Sequence, residues 1–88
     1  MSNLKVIDFY AEWCGPCKVL SPIIEKLKEN NPDIEIEKIN VDDNRELAQQ
    51  FSVRTIPTVI FMKGDEVVAR EIGAKQESFY QNLIDQNK

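Results

Sequence analysis

Two hydrophobic patterns follow each other in the first third of the chain. Residues Leu4 to Ala11 are almost continuously apolar and rich in strand-forming types, with Asp8 as the exception. Such a run is typical of a central strand that is covered on both faces. From about Pro16 to Glu29, apolar residues recur at helical spacing, which predicts a helix with one buried stripe. The stripe consists of Cys17, Leu20, Ile24 and Leu27.

The pattern then changes to alternation. Between Ile34 and about Asp42, apolar and charged residues alternate, which indicates a second strand at an exposed sheet edge. The segment Asp43 to Glu46 resembles a capping box, with Asp43 as the cap and a glutamate three residues later. It predicts a short helix that carries Leu47 and Phe51 on one face.

The last third of the chain predicts a hairpin and a helix. Thr58–Lys63 and Glu66–Ile72 are strand-like runs, and the two residues Gly64-Asp65 between them suit a tight turn. Gly73 ends the second run. The final helix, from about Gln76 to Gln86, offers the apolar residues Phe79, Tyr80, Leu83 and Ile84.

The predicted order is β-α-β-α-β-β-α, within a single domain that spans residues 1–88. A helix joins the first two strands, so they are expected to be parallel, whereas the last two strands form an antiparallel hairpin. A mixed four-stranded sheet flanked by helices on both faces is the packing that this order favours. The predicted fold class is therefore α/β.

Charge and composition narrow the choice of partners. The net charge of −4 argues against nucleic acids and anionic membranes, which both attract basic patches. No apolar run approaches the length that spans a membrane. Lys5 and Asp8 interrupt the N-terminal apolar stretch, so no signal peptide is predicted and the cytoplasm is the expected compartment. Histidine, the commonest general base and metal ligand, is absent.

Both cysteines of the chain lie in the segment Trp13-Cys14-Gly15-Pro16-Cys17-Lys18, where the first strand gives way to a helix. Two thiols at this spacing can close a disulfide across one helical turn. We expect Cys14 at or just before the first helical residue, where unpaired N–H groups and the helix dipole favour its thiolate. Cys17 is expected to be better covered and to attack a mixed disulfide formed on Cys14. The motif predicts a dithiol–disulfide exchanger.

Half of a zinc site is the alternative for this cysteine pair. Structural zinc needs four ligands, usually two such pairs or histidines. One copy of this chain supplies two cysteines and no histidine, so the metal would have to be shared between two chains. No metal site is therefore predicted.

Five parts of the chain share their pattern with one known family. They are the run Val6 to Lys18, Pro22, the run Lys38 to Asp42, the run Val53 to Thr58, and Gly73-Ala74. Together with the order of elements, they make the chain similar to the thioredoxin family from about Val6 to Ile84. The resemblance implies a thioredoxin-like fold and the reduction of protein disulfides through the Cys14-Gly15-Pro16-Cys17 dithiol.

The resemblance also implies a place where clients dock. The family has a cis proline at the position of Pro57, which would turn the backbone of Thr55 and Ile56 toward Cys14. An extended client segment could bond to that backbone as an added strand, and the loop would keep metals from the thiols. We expect a flat, mostly apolar docking surface made of Trp13, Gly15, Pro16, Ile56, Pro57, Gly73 and Ala74.

Asp8 is the expected proton-exchange group. In a thioredoxin-like fold it would be buried beneath the cysteines, where desolvation would raise its pKa and allow proton exchange with Cys17, directly or through water. The alternative is a carboxylate that reaches solvent at a strand end. Lys38, on the adjacent strand, is expected to pair with Asp8 and moderate the pKa rise. Its alternative is an exposed lysine at the sheet edge.

The expected partners also follow from the resemblance. They are a thioredoxin reductase that draws on NADPH through a flavin, and disulfide-containing client proteins. The protein is expected to be a monomer with no bound cofactor beyond its redox-active disulfide. One alternative is a glutaredoxin-like protein recharged by glutathione, although the Gly15-Pro16 pair is the one typical of thioredoxins. Another is a subunit or inhibitor that binds through Trp13 and Pro57 without turnover.

The chain departs from the family pattern in two places. The family usually has another strand and helix before the equivalent of Val6, and almost nothing precedes it here, so the strand from Ile34 becomes the edge. Glu35 and Glu37 fit a short native protein better than a truncated one, because an accidentally exposed edge would be more apolar. Tyr10 occupies a position where tryptophan is common, and we expect altered hydrogen bonding there.

Overall fold

The computed structural model describes residues 3–88. Its elements in chain order are β1 (Leu4–Tyr10), α1 (Gly15–Asn30), β2 (Glu35–Asn40), α2 (Arg45–Gln50), β3 (Thr58–Lys63), β4 (Glu66–Ile72) and α3 (Glu77–Asn87). They form a mixed sheet of order β2-β1-β3-β4, in which only the β1–β2 pair is parallel. The predicted order and fold class are confirmed. No helix of residues 3–88 combines the length and the apolar character needed to cross a lipid bilayer.

The predicted boundaries agree with the structure to within about two residues, but the predicted capping box is wrong. Asn44 and not Asp43 is the N-cap of α2, and its side chain makes no capping hydrogen bond. The Asn44 side-chain amide instead donates to the Asn40 carbonyl oxygen at 3.0 Å. It therefore closes the turn that precedes the helix.

Strand β1 separates two apolar clusters, one on each face of the sheet. Val6 packs with side chains of α1 and α3 on one face. Ile7 and Phe9 pack with Ala48 of α2 on the other face. Because successive residues of a strand point to opposite faces, Asp8 lies on the same face as Val6. The helices thus cover both faces of the sheet, as predicted.

Helix α1 packs on the sheet with the predicted stripe. Cys17, Leu20, Ile24 and Leu27 are all buried, and Pro22 is an exposed residue inside the helix. Asn31, which follows the helix, is buried and exchanges two hydrogen bonds of 2.8 and 3.0 Å with Gln81 of α3. These bonds hold α3 beside α1, on the face of the sheet that contains Asp8.

Strand β2 lies at a sheet edge, as its charges predicted. The Lys5 ammonium on β1 is 3.3 Å from a Glu35 carboxylate oxygen and 2.9 Å from a Glu37 oxygen. A single lysine thus bridges both glutamates across the parallel pair. The charged residues of this edge therefore have an electrostatic partner within the chain.

Candidate redox site

Cys14 is the N-cap of α1 and so lies just before the first helical residue, as predicted; that residue is Gly15, one position before the predicted start of the helix. The Cys17 backbone N–H donates a hydrogen bond to the Cys14 Sγ at 3.2 Å. The two cysteines form a disulfide, with their Cα atoms 5.2 Å apart. In the reduced protein, this N–H group and the positive end of the helix dipole both favour a thiolate at Cys14.

The two cysteines are covered to nearly the same extent. Only 5% of Cys14 and 4% of Cys17 is exposed, so the expected better coverage of Cys17 is slight. Both pack with Ala11, and Tyr10 and Ile56 lie against the same cluster. What distinguishes the two sulfurs is therefore their position on the helix, since one caps it and the other lies within its first turn.

The loop before β3 reaches the disulfide with its main chain. The Ile56–Pro57 peptide bond is cis, as the family resemblance implied. The Ile56 carbonyl oxygen is 3.9 Å from the Cys14 Sγ. The Pro57 carbonyl oxygen accepts a hydrogen bond of 2.9 Å from the Gly73 N–H. The loop at Pro57 and the turn at Gly73 are thus joined to each other beside Cys14.

The predicted docking surface has exposed and buried members. The exposed residues are Trp13, Gly15, Pro16, Thr55 and Ala74, and the half-buried ones are Ile56 and Gly73. Pro57 is buried, so the prediction that its ring forms part of the exposed docking surface is wrong. The covered ring instead lies beneath its neighbours. The Thr55 carbonyl oxygen accepts a hydrogen bond from the Thr58 hydroxyl. Of the backbone of Thr55 and Ile56, which was predicted to turn toward Cys14, the Ile56 carbonyl oxygen is observed beside its sulfur.

Trp13 is 71% exposed, as expected for a docking residue. Its indole Nε1 donates a hydrogen bond of 2.9 Å to the Asp42 carboxylate. The Asp42 N–H in turn donates to the Asn40 side-chain oxygen at 2.9 Å. The hydrogen bond to Asp42 orients the exposed ring of Trp13, the residue before Cys14.

Asp8 is completely buried, and neither of its carboxyl oxygens has a hydrogen-bond partner among residues 3–88. Burial raises the pKa of this carboxyl to about 6, and the positive charge of Lys38 lowers it. The predicted burial and pKa rise are confirmed, and the alternative of a solvent-exposed carboxylate is excluded. Asp8 lies on the face of the sheet that α1 covers, which is the helix that carries Cys17.

Lys38 is half-buried and forms no ion pair with Asp8. The β1–β2 register places the two residues side by side. The Lys38 ammonium, however, donates a hydrogen bond of 2.6 Å to the Ser21 hydroxyl and lies 5.2 Å from the centre of the Tyr10 ring. A hydroxyl and an aromatic face both attract an ammonium group. The predicted pairing is therefore wrong, but the predicted moderation of the Asp8 pKa is confirmed, because Lys38 acts by its charge alone.

A cavity of about 130 Å³ opens beside Cys17. Its lining includes Tyr10, Ser21 and Lys38. Organic cofactors occupy sites of roughly 300 Å³ or more, whereas this space suits a few water molecules. Within residues 3–88, no group of three or more histidine, cysteine, aspartate or glutamate side chains is arranged to hold a metal ion.

Three side chains at or near the site were not predicted as part of it. They are Ser21, Asp42 and Tyr80, whose hydroxyl contacts the turn at Gly73. A sequence signal existed only for Ser21, which follows Cys17 by four residues and so lies one helical turn further along. The partners of Asp42 and Tyr80 depend on how separate elements pack. No local pattern reveals such contacts.

The sequence is similar to those of known proteins. The Thioredoxin family model matches residues 1–86. A thioredoxin from Chlamydia pneumoniae is 45% identical over 86 residues, which make up 98% of this chain and 84% of that protein. Thioredoxin-2 from Saccharomyces cerevisiae is 44% identical over 81 residues, or 92% of this chain and 78% of the relative.

The structure gives the same result. Fasciola hepatica thioredoxin superposes with a TM-score of 0.92 at 39% sequence identity, over 99% of this chain and 83% of that one. A mutant thioredoxin from Halobacterium salinarum superposes with a TM-score of 0.91 at 37% identity, over 98% of this chain and 75% of its own. At these identities, the similarity covers sequence as well as fold.

Proposed function

The chain belongs to the thioredoxin family and is a thiol–disulfide oxidoreductase, and we propose that Cys14 is its attacking thiol and Cys17 its resolving thiol. The observation that carries this assignment is the N-cap position of Cys14, whose sulfur faces the Cys17 N–H group and the Ile56 carbonyl. The substrates are protein disulfides. Residues 1–88 act as one domain in this proposal.

In the first step, the Cys14 thiolate attacks one sulfur of a client disulfide. A mixed disulfide forms on Cys14, and the other client sulfur leaves as a thiolate that takes a proton from water. The client segment lies extended over the docking surface, with its main chain bonded to the backbone at Ile56. The exposed side chains of Trp13 and Pro16 and the exposed Ala74 contact the residues that flank the client cysteine.

In the second step, the ionised Asp8 accepts the proton of the Cys17 thiol through water. The Cys17 thiolate attacks the Cys14 Sγ, which restores the disulfide and expels the second client sulfur. That sulfur takes up a proton, so the client gains two electrons and two protons in total. A base with a pKa of about 6 is suited to a proton transfer near neutral pH. Lys38 supports this role because its charge keeps the pKa from rising further.

A thioredoxin reductase returns two electrons to the Cys14–Cys17 disulfide, taking them from NADPH through its own flavin. The protein then carries electrons from the reductase to its clients and contributes to redox homeostasis. Its only redox group is the cysteine pair, and it works as a monomer. A reducing compartment such as the cytoplasm suits a dithiol that must be kept charged.

The electron donor is tested by recharging the oxidised protein in two ways. One reaction contains NADPH and thioredoxin reductase, the other contains glutathione with glutathione reductase and NADPH, and insulin is the acceptor in both. We expect NADPH consumption only in the first. Consumption only in the second would support the glutaredoxin-like alternative. A protein that stays inactive in both, and also with dithiothreitol, would support a binding role without turnover.

The roles of the two cysteines are tested with a matched pair of single variants. Cys17→Ser is expected to accumulate a mixed disulfide between Cys14 and insulin, because the resolving thiol is missing. Cys14→Ser is expected to accumulate little, because the remaining thiol lacks the N-cap position. Non-reducing electrophoresis with mass spectrometry identifies the linked cysteine. The reverse result would exchange the two roles.

A further inference from the structure

Tyr80 has a polar group whose partners lie outside its own helix. Its side chain is fully buried in the first part of α3, and its ring stacks on Phe61 with the ring centres 6.4 Å apart. A buried tyrosine hydroxyl normally requires hydrogen-bond partners. Here both partners are main-chain atoms of the segment between β4 and α3.

The hydroxyl joins the two sides of that turn. The Lys75 N–H donates to the Tyr80 Oη at 2.9 Å, and the Tyr80 O–H donates to the Gly73 carbonyl oxygen at 3.3 Å. Gly73 has a φ of +90°, a conformation that residues with a Cβ rarely adopt. The turn is therefore held by a glycine backbone, by the Tyr80 hydroxyl and by a hydrogen bond of 3.0 Å from the Lys75 ammonium to the Ile72 carbonyl oxygen.

The same turn is bonded to the loop beside the disulfide. The Gly73 N–H donates to the Pro57 carbonyl oxygen at 2.9 Å, and the preceding carbonyl, that of Ile56, is 3.9 Å from the Cys14 Sγ. A continuous series of contacts thus runs from the Tyr80 hydroxyl to Cys14. Every backbone segment in the series belongs to the docking surface or supports it.

We propose that Tyr80 is a positioning residue for client docking, because its hydroxyl fixes the Gly73–Lys75 turn and, through it, the backbone that receives an extended client segment. This role rests on the proposed function of the docking surface. A backbone that is already ordered loses little entropy when a client binds to it. Without the hydroxyl, the Lys75 N–H and the Gly73 carbonyl lose their partner, and the client must order the turn.

The inference predicts which substrates depend on Tyr80. A protein disulfide contacts the loop on both sides of the reacting sulfurs, so its binding depends on the order of the turn. A small disulfide reaches Cys14 without these contacts. Tyr80 is therefore expected to affect protein substrates only. A purely structural role in the core would affect both substrate classes equally.

The test uses Tyr80→Phe, which keeps the buried ring and removes only the hydroxyl. The matched control is Gln81→Leu, the next residue of α3, which loses its hydrogen bonds to Asn31 and leaves the turn untouched. Each protein is reduced with dithiothreitol, freed of it, and mixed with increasing insulin or with dithiobisnitrobenzoate. The reactions are single-turnover; after acid quenching and alkylation, mass spectrometry measures the fraction of the protein that still carries free Cys14 and Cys17 thiols.

For Tyr80→Phe we expect the half-saturating insulin concentration to rise about three- to tenfold, the range that one lost hydrogen bond gives. The maximal rate and the rate with dithiobisnitrobenzoate should change by less than about twofold. Hydrogen exchange at the Lys75 amide should accelerate in Tyr80→Phe and not in Gln81→Leu. Gly73→Ala strains the same turn while the hydroxyl is present, and it should reproduce the effect on insulin.

Three results would overturn the proposal. An unchanged half-saturating insulin concentration in Tyr80→Phe, with an active parent protein, would refute the role of Tyr80 and leave the proposed function intact. An equal loss with insulin and with the small disulfide would indicate general damage to the core. If the parent protein itself leaves insulin intact, the proposed function and the role of Tyr80 both fail.

Discussion

The two faces of β1 both carry apolar clusters, but the face of α1 and α3 also contains a buried carboxyl group, that of Asp8. On the α2 side, Ile7 and Phe9 are 3% and 0% exposed and pack in an apolar cluster. On the side of α1 and α3, Val6 and Asp8 are both 0% exposed, and the Asp8 carboxyl has no hydrogen-bond partner within residues 3–88. Helix α1, which carries Cys17, packs against the face that contains this unpartnered Asp8 carboxyl.

The difference shows that burial has opposite energetic effects on the apolar and the charged side chains of β1. Burial of an aromatic ring stabilises the folded state, because the ring leaves water. Burial of a carboxylate without hydrogen-bond partners destabilises the folded state, and the pKa of the carboxyl rises as a result. Apolar clusters on both faces therefore stabilise the fold, and the face of α1 and α3 also contains the titratable group that we propose as proton acceptor.

The largest effect is expected from a change on the α2 face. Phe9→Ala removes a fully buried ring that lies 5.7 Å from the Phe51 ring and leaves a cavity. We expect the free energy of unfolding to fall by about 3–5 kcal/mol. Urea unfolding measures this loss. The rate of insulin reduction per folded molecule should stay near that of the parent, and a selective loss of activity would show that both faces serve the chemistry.

The next largest effect is expected at Asp8, where removal of the charge should stabilise the protein instead of destabilising it. The pKa of its carboxyl is about 6 in the folded protein and 3.8 at its ordinary value. The folded state therefore binds the proton more tightly, and this residue's contribution to stability falls as the pH rises from 3.8 to about 6. Above that range, the ionised carboxyl lowers the free energy of unfolding by about 3 kcal/mol relative to its value in acid.

Asp8→Asn removes the buried charge, so the variant should exceed the parent in stability by up to about 3 kcal/mol above neutral pH. The advantage should vanish in acid, where the parent carboxyl is protonated. Urea unfolding across the pH range measures the difference, with Asp65→Asn in the exposed hairpin turn as control. The resolving step should slow in Asp8→Asn alone. A constant stability difference at all pH values would contradict the assigned pKa.

A substitution at Lys38 should change the pKa of Asp8 while the Asp8 side chain itself stays the same. Its charge lowers the pKa of Asp8, so Lys38→Met should raise that pKa further above about 6. The pH at which the resolving step changes rate should move up with it. Nuclear magnetic resonance of the Asp8 carboxyl carbon follows the titration directly. Lys5→Met, a lysine on β1 itself, is the control, and an equal shift in both variants would exclude a specific effect of Lys38.

The smallest effect is expected from Lys5→Met when its stability is measured. Lys5 shares its face with Ile7 and Phe9, but its ammonium is partly exposed and bridges Glu35 and Glu37. Because solvent screens such pairs, we expect a loss of about 0.5 kcal/mol. Urea unfolding at low and high salt should show the loss shrinking as salt rises. A loss as large as that of Phe9→Ala would mean that charge pairs hold this edge.

Features that depend on neighbours along the chain could be predicted from the sequence. The stripe of α1, the hairpin turn at Gly64 and the cap at Cys14 follow from spacing and residue type, and each is observed. The burial of Asp8 followed from its place in an apolar strand within a thioredoxin-like fold. The cis bond at Pro57 required the family resemblance, because the sequence around a proline does not determine its isomer.

Features that depend on packing between elements could not be predicted. Asn44 and not Asp43 caps α2 because its side chain bonds back to Asn40, and both residues are plausible caps by type. The Lys38 ammonium donates its hydrogen bond to Ser21 because α1 passes near β2 at that point. The hydrogen bonds of the Tyr80 hydroxyl join a helix to a turn, whereas the sequence pattern identified only an apolar position.

The exposed indole of Trp13 gives the molecule an optical signal of its own. It is the only tryptophan in the chain, and it directly precedes Cys14 of the Cys14–Cys17 disulfide. A disulfide quenches the emission of a neighbouring indole, and reduction relieves the quenching. Fluorescence of the unlabelled protein should therefore brighten on reduction and dim on oxidation. Each electron transfer could then be timed in a stopped-flow mixer, with no dye attached near the proposed docking surface.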